Sequence, residues 1–571
     1  MSKKITKVTS SHWGAFQVTV RNNVIEKVMP FADDPNPSEI LSAIPKAIHH
    51  HTRVSKPSIR KGWLSNKEHH NRDQRGEDDF IEVPWDEALD ITANELDHIK
   101  IKYGNGAIFG GSYGWASAGR FHHALSQVHR FLNSIGGYVS SYASYSTAAA
   151  QAIIPHVFGV NFLKFTWGYQ NSWPTILKHT EVLIMFGGIN PKNSQVSMGG
   201  VTRHEIRNWL IACCEKKIDL VNISPQKTDT IDDIPWVPII PGSDTALMLA
   251  LAYILETQNL CDRDFIATHT TGYDRFSKYL LGSADGQPKS PEWAAKLCGI
   301  KPVVIYNLAK KMAGRRTLIT VSWSLQRGQN GEQPYWMAAT LASMLGQIGL
   351  PGGGIGYGYG AIGGIGLPIE RLDGLRLPQG ENLISDFIPV ARIADMLLNP
   401  KQRYDFNGEQ RQYPDIRLIY WCGGNPFHHH QDLNRLSKAW TKPETIVVHE
   451  PWWTATARRA DIVLPATTPF EREDIGRAAS DSYLFYMPKL IEPIGEARDD
   501  YTIFSALASR LGNEKNFTEG RDSDQWLRYL YAQFFENAAS MDIEIPSYDQ
   551  LKEINWVELP IRVSDHDGIA L

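Results

Sequence analysis

The chain has 571 residues, of which 42% are hydrophobic and 21% charged, and its formal net charge is −4. That length accommodates several domains with more than one core, and the lack of a basic excess removes the electrostatic case for nucleic acid or an anionic membrane surface. The 5 cysteines include no C-x-x-C pair, which leaves zinc ribbons and thiolate-held iron–sulfur clusters without sequence support and suits a reducing compartment. The N-terminus, Met1-Ser-Lys-Lys-Ile-Thr-Lys, runs into polar residues, with no apolar h-region, twin-Arg leader or apolar run of spanning length. These features predict a cytoplasmic protein without a membrane span, or a periplasmic one if the natural N-terminus lies further upstream.

In chain order, residues 1–56 mix short β-like stretches, Phe16–Val20 and Val24–Val28, with polar turns and a His cluster. Helical periodicity begins after Trp85-Asp86-Glu87-Ala88 and runs through Leu89, Ile91, Leu96 and Ile99. Ile108-Phe109 reads as a buried strand ending in Gly110-Gly111-Ser-Tyr-Gly-Trp115. Further strands are predicted at Val182–Phe186, Ile218–Ile223, Leu318–Trp323, Ile416–Trp421, Ile446–His449 and Ile462–Leu464, and helices at Thr245–Glu256, Pro302–Met312 and Tyr335–Leu345. Such alternation predicts an α/β protein with doubly wound, mostly parallel sheets, plus a small N-terminal β-containing part. The expected organisation is 1–56 packing with late segments at about 471–571, 57–155 grouped with 351–470, and 156–350 as a second α/β domain.

Ligands of such sheets lie beyond the carboxyl ends of strands. Two of the loops there are alike, Gly187-Gly-Ile-Asn-Pro191 and Gly423-Gly-Asn-Pro426, which suggests two related ligand halves. Gly358-Tyr-Gly-Ala-Ile-Gly363 matches the dinucleotide pattern G-x-G-x-x-G. It lies in a glycine-dense run with no periodic helix after it, so it reads as a loop close to a large ligand or another backbone rather than a nicotinamide site. Adjacent histidines diverge, so the runs at 49–51, 69–70 and 122–123 are poor metal sites; His428-His-His-Gln-Asp432 follows a strand and turn and is suited to phosphates or a pterin edge. Asp244 and Asp461 read either as helix caps or turn residues or as carboxylates for a guanine edge. Arg327 reads as a surface cation or an anion site beyond a strand. Ser146, at a helix mouth among small residues, is a helix cap on its own evidence, or an anionic ligand if a metal lowers its pKa.

Ser112-Tyr-Gly-Trp115, Tyr145-Ser-Thr147 with Ala149-Ala-Gln151, Ser172-Trp-Pro174, Gly346-Gln-Ile-Gly-Leu-Pro-Gly-Gly-Gly354, Gly423-Gly-Asn-Pro-Phe-His-His-His-Gln-Asp432 and Ala460-Asp-Ile-Val-Leu-Pro-Ala-Thr-Thr468 together resemble the dimethyl sulfoxide reductase family of molybdopterin oxidoreductases, in the branch of dimethyl sulfoxide, trimethylamine N-oxide and biotin sulfoxide reductases. The resemblance implies one molybdenum ion held by two molybdopterin guanine dinucleotides, with Ser146 as its protein ligand and no iron–sulfur cluster, since the first cysteine is Cys213. It implies that Tyr113 and Trp115 line the oxo side of the metal, that Trp323, Gln326 and Arg327 lie close to pterin and metal, and that Asn190, Asp244, Asn425, His429, Gln431 and Asp461 hold the dinucleotides. The implied reaction is oxygen-atom transfer, the two-electron reduction of an S-oxide or N-oxide to sulfide or amine plus water, with Tyr113 favouring S-oxides and electrons supplied by a donor protein.

Three departures accompany the resemblance. Ala143-Ser144 and Ala148 stand for the family's Gly-Asp and Gly around Tyr145-Ser-Thr147, and Ser224 replaces a carboxylate that would meet a guanosine. The family's C-terminal β-barrel-like domain is also expected to be absent, since the chain ends near Leu559-Pro-Ile-Arg-Val-Ser564. That expectation leaves two alternatives: a separate polypeptide supplying the domain, or a remnant that is inactive alone and at most binds the pterin cofactor.

Overall fold

A computed structural model describes residues 4–65, 71–114 and 117–561. By contact density they form two compact units, one of residues 4–143, 197–202 and 371–561, the other of 144–196 and 203–370.

The first unit is built on a six-stranded sheet in the order Phe80–Glu82, Ser58–Arg60, Ile462–Pro465, Thr445–Glu450, Leu418–Cys422, Ile108–Gly111. The last four strands run parallel; the two short N-terminal strands add antiparallel at the edge. Side chains alternate between faces as the pleat requires: Tyr420, Cys422, Val447 and Leu464 pack under the helices Trp85–Tyr103, Ala124–Ser134 and Asp500–Arg510, while Ile419, Trp421, Val448 and Val463 pack under Ile393–Leu398 and Leu433–Trp440. Two three-stranded antiparallel sheets complete this unit. One is Lys4–Ser11, Gly14–Arg21 and Val24–Pro30; the other is Asp474–Gly476, Tyr483–Met487 and Trp556–Glu558. They share a core of Ala15 and Phe31 with Tyr483, Phe485 and Met487. Asn555 staples them, its side chain receiving the Val8 N–H and donating to the Val8 and Tyr486 carbonyls, each at 2.9 Å.

The second unit is a five-stranded, wholly parallel sheet in the order Trp236–Pro238, Asp219–Ser224, Val182–Phe186, Thr317–Val321, Gly354–Tyr357. Its central strands Val182–Phe186 and Thr317–Val321 are buried at every position because both faces are covered. Val182, Ile184, Phe186, Ile319 and Val321 meet the helices Asp244–Thr257, Pro302–Met312 and Gln333–Met344, whereas Leu183, Met185 and Leu318 meet Trp173–His179 and Ile206–Glu215.

The glycine-dense run is only partly a loop, since Gly354–Tyr357 is a buried strand. Small residues hide its β character from periodicity, and burial on both faces replaces the usual alternation. It ladders onto Thr317–Val321, so residues 351–370 belong with the second unit and not with 57–155 as expected. Residues 144–155 fall there too, because the helix Ala148–Phe158 places Ala150 and Ile154 in that unit's core. No helix among the described residues is long and apolar enough to cross a membrane.

Candidate functional site

In the second unit the helix Ala148–Phe158 carries Ser146 just ahead of its N-terminus. The helix cap position is Thr147, whose side chain does not bond to the helix backbone. Its hydroxyl instead receives the Gln151 amide at 2.7 Å and lies 2.9 Å from the Ser144 hydroxyl. Gln326 arrives from the loop after Thr317–Val321: its Oε1 accepts the N–H groups of Ala149 (2.9 Å) and Ala150 (3.3 Å), and its amide donates to the Tyr145 carbonyl (3.2 Å). Among the described residues the Ser146 hydroxyl makes no hydrogen bond. Both neighbours of Ser146 are thus fixed while its own oxygen is left open.

The carboxyl edge of this sheet gathers other expected residues. Gly187 and Gly188 both hold left-handed backbone, φ 79° and 72°, and a Cβ on Gly188 would lie 2.2 Å from the Asp229 carbonyl oxygen. Asn190 closes the turn, accepting the Lys192 N–H at 2.9 Å and donating to the Thr228 carbonyl at 3.3 Å. Trp323 packs 6.1 Å from the Tyr357 ring, and its Nε1–H is buried without a hydrogen-bond partner. Arg327 is exposed; its N–H closes the preceding turn on the Ser324 carbonyl at 3.1 Å, and its guanidinium makes no hydrogen bond or ion pair among the described residues.

Asp244 opens the helix Asp244–Thr257 with its side chain buried and bonded to nothing beyond its own N–H. Burial pushes its carboxyl from 3.8 up to about 6. In the ligand-free chain the folded state therefore holds a proton that the unfolded state has lost between those two values. Stability falls as pH rises through that window, and the ionised group costs the fold about 3 kcal/mol above it. Asp244→Asn is accordingly expected to stabilise the ligand-free chain at pH 7 by about that amount and to change little at pH 4. Denaturant midpoints at the two pH values check this.

Sequence reasoning missed Asp229, whose carboxyl lies near Asn190 and Ser224 and is raised by burial. It lies in the loop after Ser224, where the resemblance leads one to expect a carboxylate. It was invisible as a site residue because its loop carries no motif. Tyr357 was missed because its strand was read as loop; the carboxyl-edge rule would have found it.

In the first unit the same strand-end geometry recurs. Gly423 and Gly424 hold φ 75° and 87°, and Asn425 accepts the Thr456 hydroxyl at 2.5 Å. The Tyr113 N–H donates to the Gly423 carbonyl at 2.9 Å, and its ring stands edge-on to Trp421 and His429, with centroids 4.9 and 5.4 Å away. A Cβ on Gly424 would lie 2.5 Å from the Tyr113 Cβ, so only glycine lets this tyrosine pack here. Burial, with His428 adjacent, lowers the His429 pKa and favours its neutral form. Gln431 donates its amide to the Ala391 carbonyl at 2.9 Å. Glu450, on the face shared by Ile446 and Val448, is raised to about 8 by burial and has the Thr454 hydroxyl at 3.5 Å. Trp115 lies outside the described residues.

Asp461 differs from its expectation. It precedes the strand Ile462–Pro465, at the amino end of the sheet and away from the ligand edge. Its Oδ1 receives Arg60 Nε (2.9 Å) and Arg75 Nε (3.0 Å), and its Oδ2 receives Arg75 Nη2 (2.6 Å) and the Ile446 N–H (2.9 Å). Both oxygens are saturated within the fold, which leaves no acceptor for a dinucleotide.

Comparison with known proteins places these features in a family. The molybdopterin oxidoreductase model matches residues 53–510, and the model of the family's N-terminal domain matches residues 9–49. The chain is 44% identical over 546 residues to a biotin sulfoxide reductase of Cereibacter sphaeroides, covering 95% of this chain and 73% of that protein. It is 41% identical to a dimethyl sulfoxide/trimethylamine N-oxide reductase of Rhodobacter capsulatus, with 97% and 69% covered. A trimethylamine-N-oxide reductase of Haemophilus influenzae is 38% identical, with 97% and 68% covered. The fold matches that of acetylene hydratase from Pelobacter acetylenicus with a TM-score of 0.67 at 18% identity, over 97% of this chain and 74% of that one. The chain belongs to the molybdopterin oxidoreductases, in the dimethyl sulfoxide reductase family.

Proposed function

We propose that this chain is a molybdenum-dependent reductase of S-oxides, with N-oxides as secondary substrates, yielding sulfide or amine plus water. The observation that carries the reading is Ser146: in a chain of this family, a hydroxyl without a partner stands between two immobilised neighbours. The residues present fit the family's cofactor, which we take to be bis(molybdopterin guanine dinucleotide) without an iron–sulfur cluster. Asp244 offers a buried carboxyl without a partner, the acceptor that a guanine edge needs. Trp323 offers a buried, unpaired N–H donor, and Arg327 a guanidinium free to meet phosphate. Asn190, Asn425 and Gln431 brace their own turns, so those loops would hold nucleotide chiefly through backbone N–H groups, with His429 beside them.

When bound, the molybdenum–pterin group supplies the two-electron redox couple. Ser146 would bind it through a deprotonated Oγ. Tyr113 would donate a hydrogen bond to the substrate oxygen as the S–O or N–O bond breaks, and Trp115, by the family resemblance, would exclude water. A donor protein would return the electrons. All 5 cysteines are free thiols, which suits the cytoplasm. The test is a reduced-dye assay on dimethyl sulfoxide, methionine sulfoxide, biotin sulfoxide and trimethylamine N-oxide, run alongside molybdenum analysis. Metal-replete protein that reduces none of them would overturn the proposal. Tyr113→Phe is expected to keep its molybdenum while kcat on S-oxides falls by about 100-fold, the scale for losing one donor to a developing charge.

A further inference from the structure

Gln326 is expected from the family resemblance to lie close to pterin and metal. Its side chain, 8% exposed, is instead engaged by the segment that carries Ser146. The carboxamide oxygen takes two N–H groups of the first turn of Ala148–Phe158, and the carboxamide nitrogen takes the Tyr145 carbonyl, the peptide oxygen immediately before Ser146. A helix start leaves unsatisfied N–H groups that are ordinarily met by the residue at the cap. Here Thr147 does not serve, and a residue 177 positions along the chain, in the turn after the strand Thr317–Val321, does so in its place. A carboxamide is the side chain for this task because it accepts and donates through one planar group. It thereby fixes the helix start and the peptide on the other side of Ser146 relative to one another.

We propose that Gln326 is the positioning residue of Ser146: it sets the direction of the open hydroxyl through the peptide groups on either side and does not touch cofactor or substrate. This rests on Ser146 being the metal ligand. Its chemistry separates the two ends of the amide. Gln326→Glu keeps acceptors for the Ala149 and Ala150 N–H groups and loses the donor to Tyr145; Gln326→Met, similar in length, loses both.

The experiment is hydrogen exchange of the full chain, produced with and without molybdenum cofactor, together with molybdenum content, the metal's visible spectrum and turnover. In cofactor-free Gln326→Met, exchange at Ala149 and Ala150 should rise roughly fivefold or more, the scale of a lost helix cap, with Gln326→Glu close to wild type at those two amides. In loaded protein both variants should shift the metal spectrum and lower kcat by about 10–100-fold, as losing an outer-shell partner does, with KM nearly unchanged. Wild-type exchange in cofactor-free Gln326→Met overturns the cap whatever Ser146 does. Raised exchange with an unchanged spectrum and kcat reduces Gln326 to a structural role and overturns the proposal. Failure of the Ser146 reading itself shows separately, as a Ser146→Ala enzyme with an unaltered spectrum and full turnover.

Discussion

Ser146→Ala is expected to lower turnover on every S-oxide and N-oxide by more than the roughly 100-fold that losing an outer partner costs, while thermal and denaturant stability stay within about 0.5 kcal/mol of wild type. The two halves of this expectation come from the same observation. A hydroxyl that bonds to nothing in the described fold leaves no orphaned group when it is removed. The neighbouring contacts, from Gln326 to Ala149, Ala150 and Tyr145 and from Gln151 to Thr147, are untouched. The opposing account treats Ser146 as an ordinary helix cap. It predicts the reverse pattern, a loss of about 1 kcal/mol in stability with turnover close to wild type. Dye-linked kinetics and urea unfolding on one preparation separate the two.

Much of this arrangement was legible in the sequence. Val182–Phe186 and Pro302–Met312 fall where periodicity places them, and the glycine pairs of the Gly187–Pro191 and Gly423–Pro426 loops do share a left-handed backbone. Legibility follows physical cause: fully buried parallel strands are continuous apolar runs, and consecutive glycines mark conformations that other residues resist. What stayed hidden depends on tertiary pairing. The strand Gly354–Tyr357 has glycine where strand patterning looks for branched residues, and only its ladder to Thr317–Val321 makes it a strand. Nothing local to Gln326 tells that its partners lie at 145, 149 and 150. Ala143 is a subtler case. It stands where the family has glycine, yet it keeps φ 63°, a left-handed conformation that costs an L-residue about 1–2 kcal/mol. The loop before Ser146 thus follows a path that glycine would adopt without strain.

Asp461 shows how a motif can be right about importance and wrong about role, and it sets up the second large effect. Asp461→Ala is expected to destabilise the chain by about 3–5 kcal/mol, the cost of stranding a buried charge partner, which is a large share of the 5–15 kcal/mol typical of folded proteins. Arg60 and Arg75 are both buried, with side-chain exposures of 0% and 1%. Arg60 would keep Asp78 at 2.8 Å, but Arg75 would be left with the carbonyls of Trp440, Pro443 and Glu444 and no carboxylate of its own. The Ile446 N–H would lose its acceptor as well. Ser58–Arg60 would then be held beside Ile462–Pro465 only by the ladder and by the residue 461 carbonyl, which accepts the Arg60 N–H at 2.8 Å. The measurement is guanidinium unfolding of cofactor-free protein, because the two roles for Asp461 diverge there. A dinucleotide ligand would leave the cofactor-free chain as stable as wild type and lower only cofactor occupancy. A structural clamp lowers stability before any cofactor is present, and Asp461→Asn, which keeps one oxygen for the guanidinium pair but no charge, should fall between the two.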